Sequence, residues 1–157
     1  MSHDDPMTPR RSPLHDPTAP GGFVGKHWPG SLMERMGMEV IAHSASLTEI
    51  TMPVDGNRQS AGILHGGATG ALVETAASFA AQLHARDVHG ADDGFAVGTE
   101  LSVSHLESVD SGSVTARARA VRLGRGQTVH LVEVVDDNGR LIATGRVTNR
   151  VLRRRRG

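Results

Sequence analysis

The chain has 157 residues, enough for one domain with its own core, and its 17 basic and 17 acidic residues give a formal net charge of +0. The charge balance argues against a general nucleic-acid binder, and the absence of cysteine excludes disulfides, cysteine-based zinc sites and a thiol nucleophile. No apolar run reaches the roughly 18 to 20 residues of a membrane span, and the N-terminus lacks a signal-peptide core, so we expect a cytoplasmic protein with no membrane or nucleic-acid partner.

The first third of the chain predicts an arm, a short helix and a hairpin. Residues 1–27 are rich in Pro, Gly, Asp and His, a composition that buries little apolar surface, so we expect a flexible N-terminal arm. Ser31 follows a Pro-Gly turn and can cap one or two helical turns. Residues 38–54 alternate around a Ser-Ala-Ser break, which predicts a strand or a hairpin, and Asp55-Gly56 then opens a loop.

The next element is a helix that the sequence places at residues 66–84. Its apolar residues cover nearly all faces, which is typical of a buried helix. Small residues along it would let neighbouring backbones approach closely. They are Ala71, Ala76, Ala77, Ala80 and Ala81.

Four strand-like stretches follow the helix, at residues 95–106, 113–121, 128–135 and 141–152. The second of them alternates small or apolar residues with Thr and Arg at a period of two. Asn138-Gly139 is a strong hairpin signal, and consecutive strands joined by short turns pair antiparallel. The sequence therefore predicts an α+β domain with one buried helix and a long antiparallel sheet.

One carboxylate, Glu74, stands in the middle of the predicted helix. An isolated buried carboxylate is costly unless it is hydrogen-bonded, paired or neutralised. Ser78 lies one turn further along the same face and could donate a hydrogen bond to it. The alternative is that Glu74 is only structurally satisfied, or that it faces a second copy of the chain.

The segment His65-Gly66-Gly67 precedes the helix and supplies a second candidate group. Free backbone N–H groups at a helix N-terminus favour a developing negative charge, and glycine lets a ligand come close to them. Such groups would polarise a carbonyl oxygen while Glu74 attacks the carbon or deprotonates water. On the residues alone, a glycine turn before an ordinary helix explains the pattern equally well.

The stretch GILHGGATGALVETAAS, residues 62–78, resembles the signature of hotdog-fold acyl-CoA thioesterases of the phenylacetic-acid-pathway and 4-hydroxybenzoyl-CoA type. The branch with glutamate on the helix is most similar, and it includes thioesterases of menaquinone and enterobactin biosynthesis. The similarity extends from about residue 30 to 152 through GTELSVSHLESVDSGSV and DDNGRLIATGRVTNRVL. It implies a hotdog fold, with an antiparallel sheet wrapped around one long central helix, over residues 28–152, and leaves residues 153–157 as a basic tail.

The resemblance also implies an activity, the hydrolysis of an acyl-CoA to a free acid and coenzyme A. Glu74 matches the family's nucleophile or general base, and Gly66 matches the residue whose N–H polarises the thioester carbonyl. Gln59 matches the residue that positions the thioester or the water. No cofactor is implied, because coenzyme A is part of the substrate.

Further residues match supporting positions of the family. His65 matches the histidine that shapes the turn, with Gly67 beside the substrate, and Ser78 matches the residue one turn after the acid. His105 matches a histidine that contacts the acyl group. The chain continues Leu-Glu-Ser where relatives often carry Arg-Pro, so an aryl or other bulky acyl group is a hypothesis from the branch alone. Family members place the Glu and Gln of one site on different subunits, which implies a homodimer, often paired into a homotetramer.

The turn at residues 122–127, read alone, is an ordinary solvated hairpin. Arginine forks and glycine amides also suit phosphates, and the family binds the nucleotide near this turn, so Arg122, Gly124 and Arg125 are candidate contacts of coenzyme A.

The basic tail is typical of a solvated segment, or touches the 3′-phosphate or a nucleic acid. His84 and His89 have the spacing of metal ligands without a third ligand, so no metal site is predicted.

Three other functions stay open at this point. A non-catalytic acyl-CoA-binding hotdog module would bind without turnover. A hotdog hydratase or dehydratase would pair a histidine and an acid differently around the helix. A nucleic-acid binder would depend on the arginine tail. The joint presence of Gln59, Gly66, Glu74 and Ser78 argues against the non-catalytic module, and the spacing from the HGG motif to its acid fits a hydratase or dehydratase poorly.

Overall fold

The computed structural model describes residues 27–155. The described residues leave out the predicted N-terminal arm, except for its last residue, and the end of the predicted tail. Within this range the chain forms two helices and six strands. In chain order they are α1 (Leu32–Arg35), β1 (Glu39–His43), β2 (Leu47–Pro53), α2 (Gly66–His89), β3 (Gly94–His105), β4 (Ser113–Leu123), β5 (Gln127–Asp136) and β6 (Leu141–Arg153).

The elements before α2 form where the local sequence predicts them. Ser31 caps α1 by accepting a hydrogen bond from the Glu34 N–H, as the sequence predicts. Strands β1 and β2 pair antiparallel as a hairpin. Gly56 adopts a φ of 81° in the turn that leaves β2, a conformation that favours glycine.

Helix α2 begins at Gly66 as predicted but ends at His89, five residues beyond the predicted end at His84. Ala85 is fully buried, so the polar residues around it belong to a last turn that still packs on the sheet. Gly90, with a φ of 96°, ends the helix. Among residues 27–155, no helix combines the length and apolarity needed to cross a bilayer.

The six strands form one antiparallel sheet in the order β1-β2-β4-β5-β6-β3, and α2 packs against its inner face. The small residues of α2 were expected to let neighbouring backbones come close. At Gly145 of β6 the backbone does lie close to α2, since an added Cβ would overlap the Val73 side chain. Gln82 fastens α2 to β3 by bonding the carbonyl of Gly94 and the N–H of Ala96. The predicted hotdog arrangement is confirmed, and it leaves β3 at the edge of the sheet, against the middle of α2.

Candidate active site

The N-terminus of α2 presents one free backbone donor. The Nδ1 atom of His65 accepts a hydrogen bond from the Gly67 N–H at 2.8 Å, which places the ring proton on Nε2. The His65 carbonyl accepts the N–H groups of Ala68 and Thr69. Within residues 27–155, the Gly66 N–H is therefore the one donor of the first helical turn without an acceptor. It is the donor that the sequence predicts for a carbonyl oxygen.

The two glycines of this turn make room for two histidine rings. A Cβ on Gly66 would lie 3.0 Å from Nε2 of His105, and a Cβ on Gly67 would lie 3.0 Å from Nδ1 of His65. Both distances are tighter than ordinary carbon–nitrogen contact, so side chains here would displace the rings. From the sequence, the glycines were expected to leave space for a ligand. In the structure, the rings of His65 and His105 lie against this space.

Three predicted site residues, Gln59, Gly66 and His105, line one cavity of about 570 Å³. The rest of its wall is aliphatic except for Thr69, Glu107 and Ser108. The loop that carries Gln59 is anchored by Asn57, a residue that the sequence analysis missed. The Asn57 amide donates to the carbonyls of Met36 and Pro53 at 2.8 Å each. Its backbone carbonyl accepts the His65 N–H, so this one residue ties the loop to the start of α2.

Glu74 lies elsewhere, half-buried against the edge strand β3. Ser78 is within 3.1 Å of its Oε1 atom, the contact predicted from their spacing. A Cβ on Gly98 of β3 would overlap the same oxygen, so the carboxylate rests directly on the Gly98 backbone. Gly98 was missed as a site residue, although a glycine inside a strand often signals the close approach of another group.

The donor and the carboxylate do not meet within one chain. Glu74 follows Gly66 by eight residues, which at about 1.5 Å per residue separates them by roughly 12 Å along the helix. Glu74 is also absent from the walls of the cavity that holds Gln59, Gly66 and His105. One carbonyl group cannot contact both within a single copy of the chain.

A second cavity of about 570 Å³ brings together the predicted phosphate contacts Arg122, Gly124 and Arg125. Arg150 of β6 and Thr99 of β3 complete its walls, and neither was predicted. Its three arginines form no ion pair within residues 27–155, which leaves their charge available to an anion. Thr99 adjoins Gly98, so this cavity lies at the same end of the molecule as Glu74.

Three other histidines of the fold bond to backbone carbonyls. His84 lies 2.8 Å from the Gly124 oxygen and holds the arginine-rich turn against α2. His43 bonds to the Phe79 carbonyl and His130 to that of Ala45, and burial lowers the pKa of both rings. No group of three His, Cys, Asp or Glu residues within positions 27–155 is arranged to hold a metal ion.

The described part of the basic tail packs on the domain. Arg153 pairs with Asp93 at 3.5 Å, and the Arg154 guanidinium lies 5.7 Å from the centre of the Phe95 ring. The Arg154 N–H donates to the Asp93 carbonyl at 2.8 Å. These arginines stay exposed, but their contacts fix the tail where β6 leaves the sheet.

Comparison with known proteins places this arrangement among thioesterases. The sequence profile of the thioesterase superfamily matches residues 61–143. The proofreading thioesterase EntH of Cronobacter turicensis is 38% identical over 124 residues, covering 78% of this chain and 87% of that protein. Thioesterase HI1161 of Haemophilus influenzae is 34% identical with a TM-score of 0.71, covering 78% of this chain and 83% of its own. Thioesterase PA1618 of Pseudomonas aeruginosa is 32% identical with a TM-score of 0.72, covering 80% and 88%.

Proposed function

The chain belongs to the thioesterase superfamily, and on that premise we propose that it hydrolyses an acyl-CoA to a free acid and coenzyme A. The observation that carries this proposal is the Gly66 N–H, which has no acceptor within residues 27–155 and borders a cavity shared with Gln59 and His105. A backbone donor at a helix N-terminus stabilises the oxyanion that forms when a thioester carbonyl is attacked.

The remaining roles follow from the chemistry of hydrolysis. The Gly66 N–H donates to the carbonyl oxygen, and Gln59 orients the thioester or the water. Glu74 either attacks the carbonyl carbon or takes a proton from the attacking water. The carbon–sulfur bond then breaks, and coenzyme A leaves as a thiolate that takes up a proton. The aliphatic residues around Gln59 would receive the acyl group, and the arginine cavity would receive the phosphates of coenzyme A.

We propose that each active site is shared by two subunits, because Gly66 and Glu74 of one chain lie roughly 12 Å apart along α2. Among residues 27–155, the outer side of the 12-residue strand β3 pairs with no other strand, and its Val97 and Leu101 are 43% and 45% exposed. Antiparallel pairing of β3 with a second copy would run the two α2 helices in opposite directions. The carboxylate of one subunit would then approach the helix N-terminus of the other, in a homodimer that the family often pairs into a homotetramer.

Mixing two inactive variants tests this shared site. Glu74→Gln and Gly66→Pro homodimers should each be inactive, but unfolding and refolding them together should restore about a quarter of wild-type activity. Random pairing makes about half of the dimers mixed, and each mixed dimer has one site with both Gly66 and Glu74 intact. The measurement is coenzyme A release before and after mixing.

The same experiment can contradict the arrangement. If both groups of one site came from one chain, every site of a mixed dimer would lack one of them, and mixing would restore nothing. Refolding each variant alone serves as the control for recovery of folded protein.

Arg125→Gln should raise KM for acyl-CoA by about tenfold and leave kcat nearly unchanged, since a charged contact to phosphate contributes on the order of 1.5 kcal/mol. The measurement compares KM for an acyl-CoA with KM for the acyl N-acetylcysteamine thioester, which lacks the nucleotide phosphates. KM for the short thioester should not change. Arg119→Gln, an exposed arginine of β4 outside this cavity, is the matched control. Equal effects on both substrates would argue against a phosphate site.

The overall proposal is tested by assaying free coenzyme A release across short, long, branched and aryl acyl-CoA substrates. We expect turnover on at least one class, and the best substrate identifies the acyl group. Binding of acyl-CoA without turnover of any substrate would favour the non-catalytic module instead.

A further inference from the structure

Four residues from three elements meet around the contact between Glu74 and Ser78. Glu74 and Ser78 come from α2, Gly98 from β3 and Asn149 from β6. Gly98 and Asn149 are directly paired across the two strands. The Ser78 Oγ atom lies 3.1 Å from Glu74 Oε1 and also 3.1 Å from Asn149 Oδ1. A hydroxyl has one proton, so it cannot donate to both oxygens at once.

Asn149 is fully buried, and its Nδ2 group has no acceptor within residues 27–155. It lies on the inward face of β6 between Val147 and Val151, both buried, where an apolar residue would continue the row. A buried amide N–H without an acceptor costs about 1 to 3 kcal/mol. The asparagine thus occupies a position where packing alone favours an aliphatic side chain.

A half-turn of the Asn149 carboxamide would give its Nδ2 group an acceptor and would remove the competing acceptor of the Ser78 proton. Its oxygen and nitrogen ends are nearly equal in size, so exchanging them leaves the packing unchanged. The Nδ2 group would then face the Ser78 Oγ atom and donate to it. The Ser78 proton would be left with one acceptor, Glu74 Oε1.

We propose that Asn149 is a positioning residue for the hydrolytic reaction, acting through Ser78. Its amide donates to the Ser78 hydroxyl, which directs the Ser78 proton to Glu74 Oε1 and leaves Oε2 for the substrate or the water. The backbone of Gly98 supports the same carboxylate from below, where any side chain would overlap it. This inference rests on the proposed role of Glu74 in the reaction.

A double-mutant cycle with Ser78 tests the relay. Asn149→Asp replaces the donor by an acceptor of the same shape, which would capture the Ser78 proton and lower kcat by about tenfold or more, with KM changed by less than about twofold. Asn149→Leu, which removes the donor without adding an acceptor, should lower kcat by about threefold. In the Ser78→Ala background, neither change should lower kcat further by more than about twofold.

A merely structural role for Asn149 gives a different pattern. Each substitution would then lower kcat by the same factor in both backgrounds, and that result would overturn the proposal. A rise in kcat for Asn149→Leu would also overturn it, because it would mean that the Asn149 oxygen had competed with Glu74 for the Ser78 proton. If the aspartate variant does not fold, the leucine variant still decides between these patterns.

Neutron diffraction from crystals exchanged into D₂O gives an answer that does not depend on turnover. We expect the ND₂ group of Asn149 to face Ser78 and the Ser78 O–D bond to point at Glu74. The Asn149 oxygen facing Ser78 would refute the relay. Full turnover by Glu74→Gln would refute the proposed role of Glu74, and no turnover of any acyl-CoA would refute the proposed function. Neither result would change the diffraction result, so these failures are distinguishable from failure of the relay.

Discussion

Glu74→Gln should lower kcat for acyl-CoA hydrolysis by at least about two orders of magnitude. Glutamine keeps the shape of the side chain and its contact with Ser78, but it can neither attack a carbonyl carbon nor accept a proton from water. The assay is the release of free coenzyme A, followed with a thiol reagent. The enzyme contributes no background in this assay, because the chain contains no cysteine.

Two controls accompany this variant. Glu133→Gln removes an exposed carboxylate from β5, away from both cavities, and should leave kcat unchanged. The thermal unfolding midpoint of Glu74→Gln should stay within a few degrees of wild type, which separates lost chemistry from lost fold. Wild-type turnover in a folded Glu74→Gln protein would contradict the mechanism.

Oxygen labelling can identify Glu74 as the nucleophile. If the carboxylate attacks, an anhydride forms, and water that adds at the Glu74 carbonyl leaves ¹⁸O in the enzyme after a single turnover in H₂¹⁸O. If the carboxylate deprotonates water, all of the label enters the product acid. Mass spectrometry of the peptide that contains Glu74 makes the distinction.

The elements of this fold were predictable where local chemistry determines them. Asn138-Gly139 predicts the β5–β6 hairpin, and Gly139 adopts the φ of 76° that such a turn favours. The sequence prediction ended α2 five residues too early, because the polar residues around Ala85 suggested a loop. The sequence signal for the true end of the helix is Gly90, the first glycine after those residues.

Some residues of the candidate site were also predictable from local sequence, and others were not. Glu74 and Ser78 were found because a helix has a known period, and their contact follows from positions four residues apart. Gly98 reaches Glu74 and Asn149 reaches Ser78 only because the paired strands β3 and β6 pack on α2. No local pattern encodes that packing, so both residues were missed. A glycine inside a strand signals that some group comes close, but it does not identify which one.

The backbone donor of the site can be removed without removing a hydrogen bond of the fold. The Gly66 N–H has no acceptor within residues 27–155, and Gly66 is the first residue of α2, where proline is readily accommodated. His65 has φ −71° and ψ 129°, the extended conformation that a residue before proline requires. Gly66→Pro should therefore fold and lose the proposed oxyanion donor.

Gly66→Ala is the matched control, because it adds a Cβ against His105 as proline does but keeps the N–H. We expect kcat of Gly66→Pro to be about 10² to 10³ lower than kcat of Gly66→Ala, the usual effect of removing one oxyanion donor. The comparison is made by coenzyme A release at saturating substrate, with circular dichroism to verify the helix. Equal kcat values for the two variants would mean that the carbonyl oxygen is stabilised by another group, and His105, the ring beside this backbone, would be the first to replace.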